Sequence, residues 1–416
     1  MPIDKLSANA FATGAVANSL GYTPANKAGD TFTGNVVFSA TANVTGAATF
    51  SNTVAIGSDY ISPYMGFKNR FINGDMRIDQ RAGASNTADN GAVFCLDRWQ
   101  IEDSTDGVFT GTQSSDVPTG TGFKNSLKLT VTTADTSIAS NQFATFTQHI
   151  EGYNWADMNW GAASASTVTL SFWVKSSVVG TYTSFVSNNG SGRWYVQGFT
   201  INSANTWEYK TIVIPGDTSG TWLTTTGRGA SFQFHLAHGG TQGSGWSAGT
   251  TPVATGQVSS WMATVGNTFY ITGVQVEKGS TATAFDYRDY GRELIMCQRY
   301  YEKSYDYGTA PGTSSVLQQA IGLGIYTNNP AAYNRFGHVY FKVAKRSGPT
   351  VVLYAPATGS SATASNATSG DGATNIGYCQ AAQVNQYGFN IAASVGGSTN
   401  TNYYTAFFAF TAEAEL

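Results

Sequence analysis

The chain has 416 residues, enough for two or three domains, and its 22 basic and 25 acidic side chains give a net charge of -3. That balance leaves no electrostatic footprint for DNA or RNA, so nucleic acid is excluded as a partner class. Only 11% of residues are charged, against roughly 25% in ordinary soluble domains, and Gly, Thr, Ser, Asn and Ala abound, so the surface is polar without being ionic, as in extracellular β structure.

Cys95, Cys297 and Cys379 are odd in number and unrelated in spacing, so they read as buried thiols rather than a disulfide framework or a zinc site. The first residues lack the basic start and apolar run of a secretory signal, and no window approaches the ~20 apolar residues needed to span a bilayer. Membrane insertion is therefore not expected.

In chain order, residues 1–24 are Ala- and Asn-rich with Leu6, Phe11, Val16 and Leu20 as a thin apolar stripe, stopped by Gly21 and Pro24. They read as a short helix or extended arm that docks on another protein. Residues 25–62 follow, and between Thr31 and Ser58 they carry no charge. Here Phe32, Val36 and Phe38 are echoed by Val44 and Phe50 in two similar segments, each a short strand with a Gly-containing turn. Strands this short cannot offset the backbone entropy of about 1–2 kcal/mol per ordered residue unless several chains wind together. An intertwined homotrimeric shaft is the structured reading, and a flexible Ser/Thr/Gly linker is the other.

Residues 63–288 hold β-branched and aromatic runs separated by Gly, Asn and Ser, among them 126–131, 168–174, 211–214, 231–236 and 268–276. In 168–174, Leu170, Phe172 and Val174 alternate with Thr169, Ser171 and Trp173, the period of a strand with one buried face. Such a series without helical interruption predicts a β-sandwich of the jelly-roll type. Within residues 289–307 the period changes: Tyr290, Leu294, Cys297 and Tyr301 step by helical a/d intervals. This connecting helix either packs on its own domain or meets its copies at a threefold axis. Residues 308–416 return to short strands, with 355–375 as a long small-residue loop, and predict a smaller C-terminal β-sandwich at the tip. The fold class is all-β apart from the one helix.

Two resemblances attach to these residues. Gly21-Tyr22-Thr23-Pro24-Ala25-Asn26-Lys27-Ala28-Gly29-Asp30-Thr31-Phe32-Thr33-Gly34 resembles the LGYTP-NKAGDT-TG repeat of phage tail fibre proteins. The order Asn69-Arg70-Phe71-Ile72-Asn73-Gly74-Asp75-Met76, Leu96-Asp97-Arg98-Trp99, Leu170-Ser171-Phe172-Trp173 and Ile271-Thr272-Gly273-Val274-Gln275-Val276-Glu277 is similar to jelly-roll domains of phage fibre proteins. Those domains are in turn similar to carbohydrate-binding modules of the galactose-binding-like fold. The first resemblance implies a virion protein of the phage tail, assembled in the host cytoplasm and attached to the tail or baseplate through residues 1–24. The second implies recognition of a host surface polysaccharide or lipopolysaccharide, and a structural calcium near Asn73 and Asp75. Thr272-Gly273, however, stands where the related modules often carry an acidic ligand.

Sugar recognition calls for a flat aromatic platform edged by polar groups. Trp155 and Trp160 are interleaved with Asn and Asp, and Trp194 and Tyr195 follow the turn-like 188–192. These four are the glycan-binding candidates, core filling being their other reading. No nucleophile elbow, phosphate loop or metalloprotease helix occurs. Asp97, Glu151, Asp157 and Glu208 supply carboxylates without marking a glycosidase pair. The expectation is a non-catalytic fibre protein without a cofactor. A purely architectural decoration protein and a polysaccharide depolymerase are the competing readings.

Overall fold

In the computed structural model, residues 54–56, 59–61, 68–81, 86–190, 192–249, 253–327, 334–366, 374–393 and 402–416 are described. The arm of residues 1–24 and the seam residues Phe32, Val36, Phe38, Val44 and Phe50 lie outside them. Strands β1 (Val54–Ile56) and β2 (Asp59–Ile61) form an antiparallel hairpin.

The all-β expectation holds: among the described residues the chain is built from mainly antiparallel sheets, with one α-helix. A six-stranded sheet runs in the order β12 (Glu208–Ile214), β9 (Val168–Ser176), β17 (Thr268–Lys278), β7 (Ser126–Thr133), β6 (Val108–Ser114) and β3 (Thr87–Ala88). A seven-stranded sheet runs β15 (Gly245–Ser247), β11 (Trp194–Ile201), β10 (Gly180–Ser187), β13 (Arg228–His238), β8 (Phe143–Glu151), β5 (Trp99–Asp103) and β4 (Gly91–Leu96). A short parallel pair, β14 (Gln242–Gly243) with β16 (Val253–Ala254), stands apart from both. Hairpin neighbours such as β4–β5, β6–β7 and β10–β11 alternate with strands from distant parts of the sequence, as in a jelly-roll sandwich of two sheets.

Alternation explains which face of each strand is buried. Leu170, Phe172 and Val174 of β9 meet Phe146, Phe232 and Phe234 of the other sheet in one core. Phe146 and Phe234 stack at 4.8 Å, and Phe172 meets Phe234 edge-on at 5.2 Å. Each such buried side chain contributes about 1.5–3 kcal/mol of apolar transfer. The segment Asn69–Asp75 is structural: the Asn69 amide donates to Val274 O and its Oδ1 accepts from Phe71 N and Val276 N.

Helix α1 (Tyr290–Gln298) begins at Asp289, whose side chain accepts from Arg292 N at 2.8 Å. It packs on its own chain: Leu294, Cys297 and the following Tyr300 form a cluster with Ile72 and Ile78. Tyr301 is not helical but opens strand β18 (Tyr301–Lys303). Of the four residues read as a possible interchain seam here, Leu294, Cys297 and Tyr301 are therefore buried within one chain, and Tyr290 is 48% exposed.

The smaller sandwich is organised by β25 (Asn402–Glu413). It pairs with β18 and β21 (Thr350–Tyr354) near its end, and with β19 (Ile321–Thr327) and β22 (Thr363–Asn366) near its start. From β22 the sheet continues through β23 (Thr374–Ala382) and β24 (Gly388–Ala393) to β20 (Asn334–Tyr340). The expected loop at 355–375 thus contains strand β22: Ala364 and Ser365 are fully buried, and small side chains suffice where backbone pairing does the holding.

A buried ionic network joins the carboxyl-terminal residues to the large sandwich. Glu415 takes ion pairs from Arg98 and from Arg81, the latter at 3.2 Å, while Arg346 donates to the carbonyls of Ala414 and Thr226.

Candidate functional site

The four sequence candidates lie in the core. Trp155, Trp160, Trp194 and Tyr195 are between 1% and 8% exposed. Trp160 is met edge-on by Trp155 at 4.9 Å, Trp222 at 4.7 Å and Trp246 at 5.3 Å, while Tyr195 faces Trp246 and Trp194 stacks on Phe185. Their faces are taken by one another, so the core-filling reading describes them and an open stacking platform does not. Edges of Trp155 and Trp160 do border a hollow of about 360 Å³ with Trp222.

A second hollow, also about 360 Å³, lies on the outer face of the six-stranded sheet. Register builds it. Tyr209 on β12 pairs with Trp173 on β9, and Trp173 pairs with Thr272 on β17, so the three form one row across the sheet. The two rings lie 5.3 Å apart at 48°, with Tyr209 45% exposed. Beyond Thr272 the pairing slips at a bulge, where Gly273 adopts φ +62°. Residues 279–287 then fold back over the sheet: Thr169 Oγ1 donates to Gly279 O, Gln275 Nε2 to Thr283 O and Tyr287 Oη to Thr121 O. Phe123, Phe285 and Tyr287 form the far wall, their rings 4.9–5.4 Å apart in each pair. The result is a groove with flat aromatic sides, lined also by Ser171, Thr121 and Thr283, of which Thr121 and Thr283 donate their hydroxyls to Pro118 O and the Glu277 carboxylate. Rings of this kind take the C–H face of a pyranose while hydroxyls meet its edge.

Sequence reasoning passed over these residues, although the signal was present. The alternation that puts Leu170, Phe172 and Val174 inward requires Trp173 to face out, and Trp207 and Tyr209 alternate in the same way on β12 and its approach.

The outer face of the seven-stranded sheet is different. The Thr145, Thr147 and Ser187 hydroxyls and both ring nitrogens of His235 are buried without a hydrogen-bond partner in the protein. Burial, reinforced by neighbouring His238, pushes the His235 imidazole down to about 3. Among the described residues no group of His, Cys, Asp or Glu is arranged to hold a metal ion.

Asn73 and Asp75 are both engaged within the chain. The Asn73 amide donates to Ile78 O and Asp97 O and accepts from Ile78 N. Asp75 pairs with Arg77 at 3.0 Å, and burial raises its carboxyl to about 6 against that charge. The other carboxylates also have structural partners. Asp157 is held by both terminal nitrogens of Arg70, Glu151 by Arg299 and Tyr300, and Asp97 by Gln80.

No protein-family model and no curated protein matches the chain. Among solved structures, it is similar to the enzymatically active domain of tailspike protein 4 of bacteriophage CBA120, with 19% identity and TM-score 0.30 over 51% of this chain. The chain spans about a fifth of that domain's length, 21%. It is also similar to a CBM4 structure, with 17% identity and TM-score 0.26 over 50% of this chain and 98% of the other. A family 11 carbohydrate-binding module from Clostridium thermocellum aligns with 13% identity and TM-score 0.24 over 47% of this chain and 94% of the module. At these values none of them assigns a role to a residue of this chain.

Proposed function

We propose that the large sandwich binds a bacterial surface glycan in the Trp173–Tyr209 groove, and that the chain is the receptor-binding part of a phage tail fibre. The observation that carries this reading is the groove itself: two rings set side by side by strand register, left open to solvent, and faced by a second aromatic wall. Binding leaves the glycan uncut in this reading. Residues 1–24 attach to the tail or baseplate, and three chains associate as a homotrimer through residues 25–62. Threefold presentation turns modest single-site affinity into strong adhesion, since linked sites raise avidity by about 10²–10⁴.

Recombinant full chain on an array of bacterial polysaccharides tests the reading. Retention of at least one glycan is expected, with affinity reduced about tenfold or more by Trp173→Ala, a loss of about 1.4 kcal/mol. Glycan binding that is indifferent to both Trp173→Ala and Tyr209→Ala overturns the groove assignment. An array without any retained glycan points to an architectural role, and release of reducing ends from a bound polysaccharide points to a depolymerase.

A further inference from the structure

We propose that the ligand of this groove is an anionic saccharide, whose acidic group is held by Lys128 and Lys175 beside a second aromatic pair, Trp207 and Tyr270. This deepens the glycan reading and rests on it.

The second pair lies one step along the same face. Lys175 on β9 pairs with Tyr270 on β17, and Tyr270 pairs with Lys128 on β7, so the three stand in a row next to the row of Trp173 and Thr272. Residues two apart on a strand are about 6.8 Å apart and adjacent strands about 4.8 Å, so both lysines lie beyond one sugar ring seated on Trp173 but within reach of the next. Trp207 and Tyr270 have their centroids 6.2 Å apart, and the Lys175 ammonium sits 4.3 Å from the Tyr270 ring and 5.3 Å from the Trp207 ring. The face of the sheet is therefore a continuous track of two aromatic pairs with cations set into the second.

Charge on this track does not balance. Among the described residues, Asp116 is the single carboxylate in contact: it pairs with Lys175 and accepts from Trp207 Nε1 at 3.0 Å. Burial raises its carboxyl, but the hydrogen bonds from Lys175 and Trp207 and the charges of Lys175 and Lys128 outweigh that and hold it below its ordinary value. Lys128 itself lies 5.8 Å from the Tyr270 ring, and among the described residues no carboxylate comes within ion-pair distance of it. Two ammonium groups thus share one carboxylate and leave a surplus positive charge on a half-buried aromatic surface. On a chain with so few charges, a neutral glycan gives such a cation nothing to do. A carboxylate, sulfate or phosphate on the sugar supplies the missing partner through a charge-assisted hydrogen bond at a partly desolvated site.

The test uses the full chain and matched pairs of oligosaccharides: uronic acid chains with their methyl esters, and sulfated or phosphorylated chains with their stripped counterparts. The acidic member of at least one pair is expected to bind about tenfold or more tightly, with affinity falling as salt rises, and Lys128→Ala is expected to remove that preference. Lys128→Gln, which keeps the stem over Tyr270, is expected to do the same, separating charge from packing. Which pair responds distinguishes carboxylate from sulfate and phosphate. Equal affinity for both members of every pair, or an acid preference that survives both Lys128 variants, overturns the proposal. If neutral binding persists and is lost in Trp173→Ala, the glycan reading stands and only the charge assignment falls; if no saccharide binds, both fall.

Discussion

Gly273 and Phe123 occupy space that only a missing side chain leaves open: a Cβ on Gly273 would lie 2.5 Å from Phe123 Cζ. Phe123 cannot swing away, because Phe285 and Tyr287 pack against its ring. Gly273 also sits at φ +62°, which costs any other residue extra. Gly273→Ala is therefore expected to destabilise the protein by about 1–3 kcal/mol and to displace the far wall of the groove. Urea denaturation reads the first effect and glycan affinity the second. A variant with unchanged denaturation midpoint would show that the wall yields freely.

The pair formed by Arg98 and Glu415 is almost fully enclosed, the side chains being 1% and 4% exposed. Removing one member leaves a charge in a dry site. Glu415→Ala is expected to cost about 3–5 kcal/mol, and adding Arg98→Met to recover part of that, because an apolar replacement of similar size no longer needs a counter-ion while Arg81 keeps Glu413 as its partner. Equilibrium unfolding of the single and double variants measures both, and a double variant less stable than the single one refutes the account.

Thr145 and Thr147 carry buried hydroxyls that find no partner in the protein. Replacing each with valine keeps the branched shape that a strand favours and removes a desolvated polar group, so each change is expected to stabilise by about 1 kcal/mol. Thermal unfolding is the check. A fall in Tm would mean that these hydroxyls are engaged in the native protein.

Glu208 gathers the turn that leads to Trp207. Its carboxylate accepts from Asn202 N and Nδ2, both at 2.8 Å, from Ser203 N at 2.9 Å and from Lys210 Nζ at 2.6 Å. Burial raises the group, but these donors prevail and bring it down to about 2. A carboxyl held lower in the folded than in the unfolded chain stabilises fully above the unfolded value near 4.3, and that contribution disappears as pH falls toward 2. Glu208→Gln should thus be less stable than the parent at pH 6 and converge on it in acid. Parallel melting curves at falling pH decide the matter; a gap that stays constant would assign the effect to something other than this titration.

Much of the fold was legible in the sequence because strand period is a local property. Leu170, Phe172 and Val174 announced the core face of β9, and the Tyr290, Leu294 and Cys297 spacing announced the helix. Strand β22 was not legible, since Ala364 and Ser365 are held by backbone pairing to β23 and β25 and need no apolar signature. The helical reading of Tyr301 failed for a related reason: pairing with Glu413, more than a hundred residues on, overrides the local period. The groove was only half readable. Trp173 could be placed on an outer face by parity, but the wall of Phe123, Phe285 and Tyr287 depends on a bulge and a returning segment that no short-range pattern encodes. Trp155 and Trp160 misled because their Asn- and Asp-rich surroundings suggested a loop, whereas turns of 3-10 helix carry both indoles into the interior.

Strand β25 gives the smaller sandwich a particular order of assembly. Until β25 is made, β18, β19, β21 and β22 lack the strand that joins them, and their open edges are exposed to other chains. Copies of this chain under synthesis on the same message therefore present matching unfinished edges to each other. Long-range pairings of this kind close slowly, so the edges stay open longer than those of a local hairpin.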